Sequence, residues 1–234
     1  MRILAIDTST KILSLGISDG DKIYEYNIEV GIKLSNLLVP ALKRVVDSLG
    51  WRMGDIDCFA CGLGPGSFTG VRVGLATIKG LSFSLDKPLA GISSLDILAR
   101  NVKKDNGFVI PVIDAKRNLI YSSIYKIKDG ISKRITAYML LEEEEFFKKV
   151  KKTISLKQEN NVIILGDALT LYKGRLLAEL EGVKILDKDY WYPQGRNIIE
   201  LAKEKIKSKK LNTVFEIKPI YLYPKECQIR KIKK

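Results

Sequence analysis

The 234-residue chain contains no histidine. That removes the side chain most used as a general base near neutral pH and the commonest nitrogen ligand for metals. Ser-His-Asp and Cys-His catalysis and the H-E-x-x-H zinc motif are excluded with it. Cysteine is scarce: Cys58, Cys61 and Cys227. An odd count behind an N-terminus without a secretory leader argues against a disulfide framework. Cys58 and Cys61 form a C-x-x-C inside an apolar run that reads as a strand. A separation of three then puts the two thiols on opposite faces, as buried packing residues and not as a redox pair. No apolar run approaches the length of a membrane span. "MRILAIDTST" reads directly as a strand and its turn, so a cytoplasmic protein without membrane contact is expected.

Phosphate-loop signatures are also missing. "CFACGLGPGSFTGVRVGLATIKGL" (58–81) has the outline of one, a strand, a glycine loop and a helix. A P-loop needs a second glycine five residues after its first, followed by lysine, yet Ser67, Thr69 and Val71 stand five residues after Gly62, Gly64 and Gly66. A dinucleotide fingerprint fails at Ser67, where its third glycine belongs. What survives is generic: a helix N-terminus capped by Ser67 or Thr69, with Arg72 on the first turn. Together with Asp7 and Asp114 these are the weak anion-site candidates.

What is present in excess is positive charge, +13, with a lysine-rich end in "AKEKIKSKKLNT" and "CQIRKIKK". This balance suits an acidic or nucleic-acid partner, and it equally suits a solvated lysine-rich surface. The apolar pattern carries two copies of one unit. "RILAID" (2–7) ends in Asp7 as "VIPVID" (109–114) ends in Asp114. Strands follow over 12–18 and 22–30 in the first copy, and over 119–127 and 131–140 in the second. A helix over 34–49, which Pro40 should kink or start late, answers a helix beginning at 141. After strand 56–62, the strand-to-glycine junction at 56–64 is matched by "NVIILGDAL" (161–169). Helices over 68–85 and 94–102 around strand 88–92, and strand 183–186 with a helix near 196–209, complete the two plans. The fold class is therefore α/β, two tandem subdomains (1–104 and 105–234) with mixed five-stranded sheets. The last helix is placed where it can pack back on the first subdomain. Ligands of such sheets sit at the strand carboxyl ends, in the cleft facing both aspartate turns.

Helix 68–85 carries Gly70, Gly74 and Gly80, each costing about 1 kcal/mol against alanine, so close packing must compensate. Its small residues fall in two rows, Gly70–Gly74 and Ala76–Gly80–Ser84, against which its own sheet or a partner helix can close.

"MRILAIDTST", "GLGPGSFTGVRVGLATIKGL", "GISSLDILA" and "VIDAKRNLIYSSIY" together resemble the bacterial TsaB (YeaZ) family, within the wider glycoprotease-like group. The similarity spans nearly the whole chain and is densest over 1–127. The resemblance implies the actin/sugar-kinase/heat-shock ATPase fold, built of two ribonuclease-H-like halves. It implies a non-catalytic dimerisation subunit in tRNA threonylcarbamoyladenosine biosynthesis, with no catalytic or metal residues and no required cofactor. The partners implied are a catalytic sister of the TsaD family and a small ATPase of the TsaE family, with tRNA reached indirectly, through the basic tail (230–234). A homodimer is expected in the sister's absence if the pairing face is apolar. The sister's H-x-x-x-H metal motif maps to Ser94 and Leu98. Pairing is assigned to helices 34–49 and 68–85, with Leu37, Ala41, Gly70, Gly74, Ala76, Gly80, Phe83 and Ser84 as interface candidates. The family's "HSE" is here Leu34-Ser35-Asn36, and Tyr223 replaces an arginine, so contacts of those side chains do not carry over. Kinases of this fold follow both aspartates with glycines. Here Thr8-Ser9-Thr10 and Ala115-Lys116-Arg117 follow instead, which argues against ATP binding and leaves an autonomous small-molecule kinase or ATPase as the alternative. A ribonuclease-H-type nuclease lacks its carboxylate set.

Overall fold

The computed structural model describes residues 1–30, 33–103, 106–157 and 161–223. Cys227 and the basic tail at 230–234 lie outside the described residues.

The first sheet has the order β3-β2-β1-β4-β5, with β1 (Arg2–Asp7), β2 (Ile12–Asp19), β3 (Lys22–Glu29), β4 (Cys58–Gly62) and β5 (Leu89–Ile92). The first three strands form an antiparallel meander, and β1, β4 and β5 run parallel. Side-chain alternation splits the core between the two faces. Leu4, Ile6, Leu15 and Phe59 meet α1 (Leu34–Ser48) and α2 (Phe68–Ser84) through Leu38, Leu42, Leu75 and Ile78. Ile3, Ala5, Ala60 and Ala90 meet α6 (Gly195–Lys207) through Ile198, Ile199 and Ala202. Alanines on that face let the last helix lie close. At Gly16 and Gly195 the two backbones touch, and a β-carbon on either would overlap main-chain atoms of the other segment. Cys58 lies in the second layer and Cys61 in the first, both buried. Burial pushes the Cys58 thiol up to about 12 and raises Cys61 as well, so neither is a thiolate near neutral pH.

α1 starts at Leu34 and continues through Pro40, so the late start does not occur. The buried face Leu34, Leu38, Leu42, Val45 and Val46 carries the helix across the backbone bond that proline removes.

The second sheet keeps a five-strand path, β10-β7-β6-β11-β12, and adds a ribbon, β8 and β9, beside β6. Its strands are β6 (Gly107–Asp114), β7 (Leu119–Ser122), β8 (Tyr125–Lys128), β9 (Ile131–Arg134), β10 (Met139–Glu142), β11 (Val162–Leu165) and β12 (Val183–Ile185). The stretch expected as one strand over 119–127 is thus two. β7 pairs with the carboxyl half of β6 and β8 with its amino half. Pro111 separates the two ladders, having no N–H to donate, and Ser122 Oγ donates to its carbonyl at 2.8 Å. The strand over 131–140 divides with them, since β9 follows β8 and β10 follows β7. The helices are α3 (Ser94–Ala99), α4 (Glu143–Lys157) and α5 (Leu169–Glu179) besides α6. α5 falls where the sequence reading assigns no element. It buries only Leu169, Tyr172 and Leu176, and Lys173, Gly174 and Arg175 interrupt its pattern.

Polar contacts stitch the halves together. Asp96 of α3 accepts from the hydroxyls of Tyr125 (2.6 Å) and Tyr138 (2.8 Å). Asn101 donates to the carbonyls of Tyr190 and Tyr192, and accepts from Asn197 at 2.6 Å.

Candidate functional site

The two aspartate turns face each other across a cleft of about 1010 Å3, and their side chains have different fates. Asp7 is fully buried. Its Oδ1 accepts the backbone N–H of Ser9 (2.8 Å) and the Ser9 hydroxyl (2.6 Å), and its Oδ2 accepts the Ser94 hydroxyl (2.5 Å). Gly62 is required here, because a β-carbon would strike the Asp7 carboxylate. Burial raises the Asp7 pKa, and the serine hydrogen bonds only partly offset it. Both oxygens are committed inside the protein.

The glycine loop completes that seal. The Gly64-Pro65 peptide is cis. Ser67 N–H donates to Ser9 O (2.7 Å), and Ser67 Oγ caps α2 by accepting from Gly70 N–H (3.2 Å). Thr8 Oγ1 donates to Gly70 O at 2.8 Å. A β-carbon at Gly70 would overlap the Thr8 carbonyl oxygen, and one at Gly74 the Thr8 hydroxyl. Gly70 and Gly74 were expected as partner contacts. They are buried against the chain's own first turn, and that row packs inward.

Asp114 is held by its own turn. Its Oδ1 accepts Lys116 N–H (2.8 Å) and its Oδ2 pairs with Lys116 Nζ (2.6 Å). Lys116, Arg117 and Asn118 all have positive φ (64°, 53° and 59°). Asp114 N–H donates to Asp167 Oδ1 at 2.9 Å. Burial, with Asp114 nearby, pushes Asp167 up to about 6. Asp167 was not singled out in the sequence. Its signal was its place after Gly166 at the carboxyl end of β11, the counterpart of the first glycine junction.

The anion-site candidates therefore do not converge. Ser67, Thr69 and Asp114 line the cleft, but Asp7 and Arg72 do not. Arg72 lies 3.6 Å from the Phe68 ring centroid and donates from Nε to the Tyr221 hydroxyl at 2.6 Å. These residues do not fit a magnesium-bound nucleotide: one carboxylate is sealed, and the other is covered by Lys116. Among the described residues no group of three or more acidic or cysteine side chains is placed to hold a metal. No helix among them is long and apolar enough to cross a membrane.

Of the remaining interface candidates, Leu37, Ala76, Gly80, Phe83 and Ser84 are exposed and Ala41 is half-buried. Phe83 is 67% exposed and forms a T-shaped ring pair with Phe215, itself 79% exposed. Gly80 has open space around its missing side chain.

Two halves of the same β-β-β-α-β-α plan around a central cleft define an α/β protein of the actin-like ATPase class, with ribonuclease-H-like mixed sheets. Two solved YeaZ-like structures share this fold. YeaZ from Pseudomonas aeruginosa superposes with a TM-score of 0.79 at 22% identity, over 94% of this chain and 99% of that one. The family profile described as TsaD, tRNA N6-adenosine threonylcarbamoyltransferase, matches residues 29–222. Two curated relatives carry the name tRNA threonylcarbamoyladenosine biosynthesis protein TsaB. That of Bacillus subtilis is 29% identical over 79% of this chain and 78% of its own, and that of Escherichia coli 25% over 95% and 94%. The chain belongs to the TsaB/YeaZ family of tRNA threonylcarbamoyladenosine biosynthesis proteins, within the group that profile describes.

Proposed function

We propose that the chain is the non-catalytic subunit of the tRNA threonylcarbamoyl transferase and works by pairing with a catalytic sister of the TsaD family. The observation that carries this reading is the Asp7 carboxylate, sealed between Ser9 and Ser94. A buried carboxylate with both oxygens committed can neither orient a magnesium ion nor accept a substrate proton. Ser94 occupies the place that the resemblance gives to the sister's first metal-binding histidine. A side chain that would serve a metal there serves here to close the turn. The outward face of α2 (Ala76, Gly80, Phe83, Ser84), with Leu37 and Ala41 of α1, is the pairing face in this reading. The open space at Gly80 admits another backbone, and exposed Phe83 supplies apolar area. The TsaE-type ATPase and tRNA are then engaged by the assembled complex.

Reconstitution tests the proposal. Sister subunit and the remaining factors are assayed for modified tRNA with and without this chain. Activity that needs the chain, together with no turnover by the chain alone, is expected. Full activity in its absence overturns the reading. Phe83→Glu is expected to weaken co-purification with the sister by tenfold or more, on the order of the 2 kcal/mol of an interface anchor.

A further inference from the structure

A second pocket, of about 300 Å3, lies where the first turn of α2, the β6–β7 turn and the segment 220–223 meet. It is at the small end of the range for ligand sites. Its walls are aromatic: Phe68 and Tyr221, with centroids 5.3 Å apart, on one side, and Tyr121 with Tyr223, 6.1 Å apart and edge-on, on the other. Most of the polar tips here are satisfied within the chain. The Tyr221 hydroxyl accepts from Arg72, and the Tyr223 hydroxyl donates to Ala115 O at 2.8 Å. Tyr121 differs. Most of the residue is buried, and its hydroxyl makes no hydrogen bond among the described residues. Tyr121 lines the pocket and its hydroxyl is not fully buried, so it is a donor that a bound polar group can take over from solvent. Burial pushes its pKa up to about 12, so it stays protonated and able to donate. At the rim Arg117 is exposed, with no ion pair among the described residues.

We propose that this pocket binds a single nucleobase with its attached phosphate: the ring between the aromatic walls, a ring-edge heteroatom on the Tyr121 hydroxyl, and the phosphate on the Arg117 guanidinium. A purely hydrocarbon ring would leave Tyr121 unpaired. A base offers acceptors at its edge and a π-face for stacking. The guanidinium fork suits a phosphate. The size of the pocket admits one base and no second stacked ring beyond it. The base can come from a free mononucleotide or from an unpaired position of an RNA strand, and both present the same chemistry.

The test is titration of the full chain with three probes, AMP, adenosine and a short unstructured RNA oligonucleotide, followed by calorimetry or anisotropy. AMP or the oligonucleotide is expected to bind, with adenosine at least tenfold weaker than AMP if the source is a free nucleotide. Tyr121→Phe keeps the packing and should weaken the bound probe about fivefold. Arg117→Ala should remove the preference for phosphate and lower the salt dependence of binding. Phe68→Ala should cost tenfold or more. Thermal unfolding of each variant, unchanged within a few degrees, separates loss of ligand from loss of fold. Binding by the oligonucleotide alone assigns the base to a strand, and binding by AMP assigns it to a free nucleotide. Either supports the site. No binding of any probe, or binding indifferent to both Tyr121→Phe and Arg117→Ala, overturns it. The site belongs to this chain alone, so its failure leaves the pairing reading standing.

Discussion

The two aspartate turns are copies of one structural idea with opposite surroundings. In the first, Asp7 is buried under α2 and α3, and everything around it is small: Gly62 beneath the carboxylate, Gly70 and Gly74 against Thr8, Ser9 and Ser94 as donors. In the second, Asp114 stays at the cleft, and bulky cations, Lys116 and Arg117, follow it. The difference teaches that the same aspartate turn can be closed in two ways. One half is sealed by packing a helix onto the turn. The other is left open and filled with side chains of its own. The sealed half is a matter of core stability, while the open half is a matter of surface charge, and substitutions should separate them sharply.

The largest effect is expected at Gly74→Val. Its side chain must displace the Thr8 hydroxyl from a buried turn, at a cost of about 3 kcal/mol or more, the upper end for overpacking. Denaturant unfolding measures it, and a loss under 1 kcal/mol would show that α2 is free to shift off the turn. Next is Asp7→Ala, which leaves the Ser9 amide and two hydroxyls without their acceptor. A loss of about 2 kcal/mol is expected. The equivalent change in the second half, Asp114→Ala, removes an ion pair whose lysine is 81% exposed. It should cost less than about 1 kcal/mol. Equal losses at the two aspartates would break the comparison.

Asp167 sharpens it through pH. Its folded pKa is raised, from 3.8 to about 6. Between those values the folded protein holds the proton that the unfolded chain releases, so stability falls as pH rises from about 4 to 6. Asp167→Asn keeps an acceptor for the Asp114 amide and removes that fall, which is on the order of 2 kcal/mol. Stability measured at pH 4, 5, 6 and 7 should show a flatter curve for the variant. An unchanged curve would place the titration elsewhere, with Asp7, whose pKa is also raised, as the first alternative.

Much of this was legible in the chain as written. Alternation in "ILSLGIS" sends Leu13, Leu15 and Ile17 to the face under α1 and α2 and Gly16 to the face under α6, and the stripe Leu34-Leu38-Leu42-Val45 reproduces α1, because side-chain direction repeats with the period of the backbone. The failed phosphate motifs at Ser67 and the opposed thiols at Cys58 and Cys61 could likewise be read residue by residue. Pro111 was visible too, but its consequence was not. A missing N–H matters only once a partner strand is known to lie on that side, and so the breaks at 123 and 135 escaped. Asp167 and the unpaired Tyr121 hydroxyl escaped for the same reason, since whether a polar group has a partner depends on elements far away in sequence.

The sequence by itself determined the repeat, the strand and helix periods, the lack of histidine chemistry and the family, because each rests on residue type and local spacing. Tertiary structure decided which way the glycine rows of α2 face, that Ser94 reaches Asp7 across 87 positions, and that α6 crosses back to the first sheet on Gly16 and Gly195. Those outcomes depend on which surfaces meet, and close packing settles that only when the whole chain is in place.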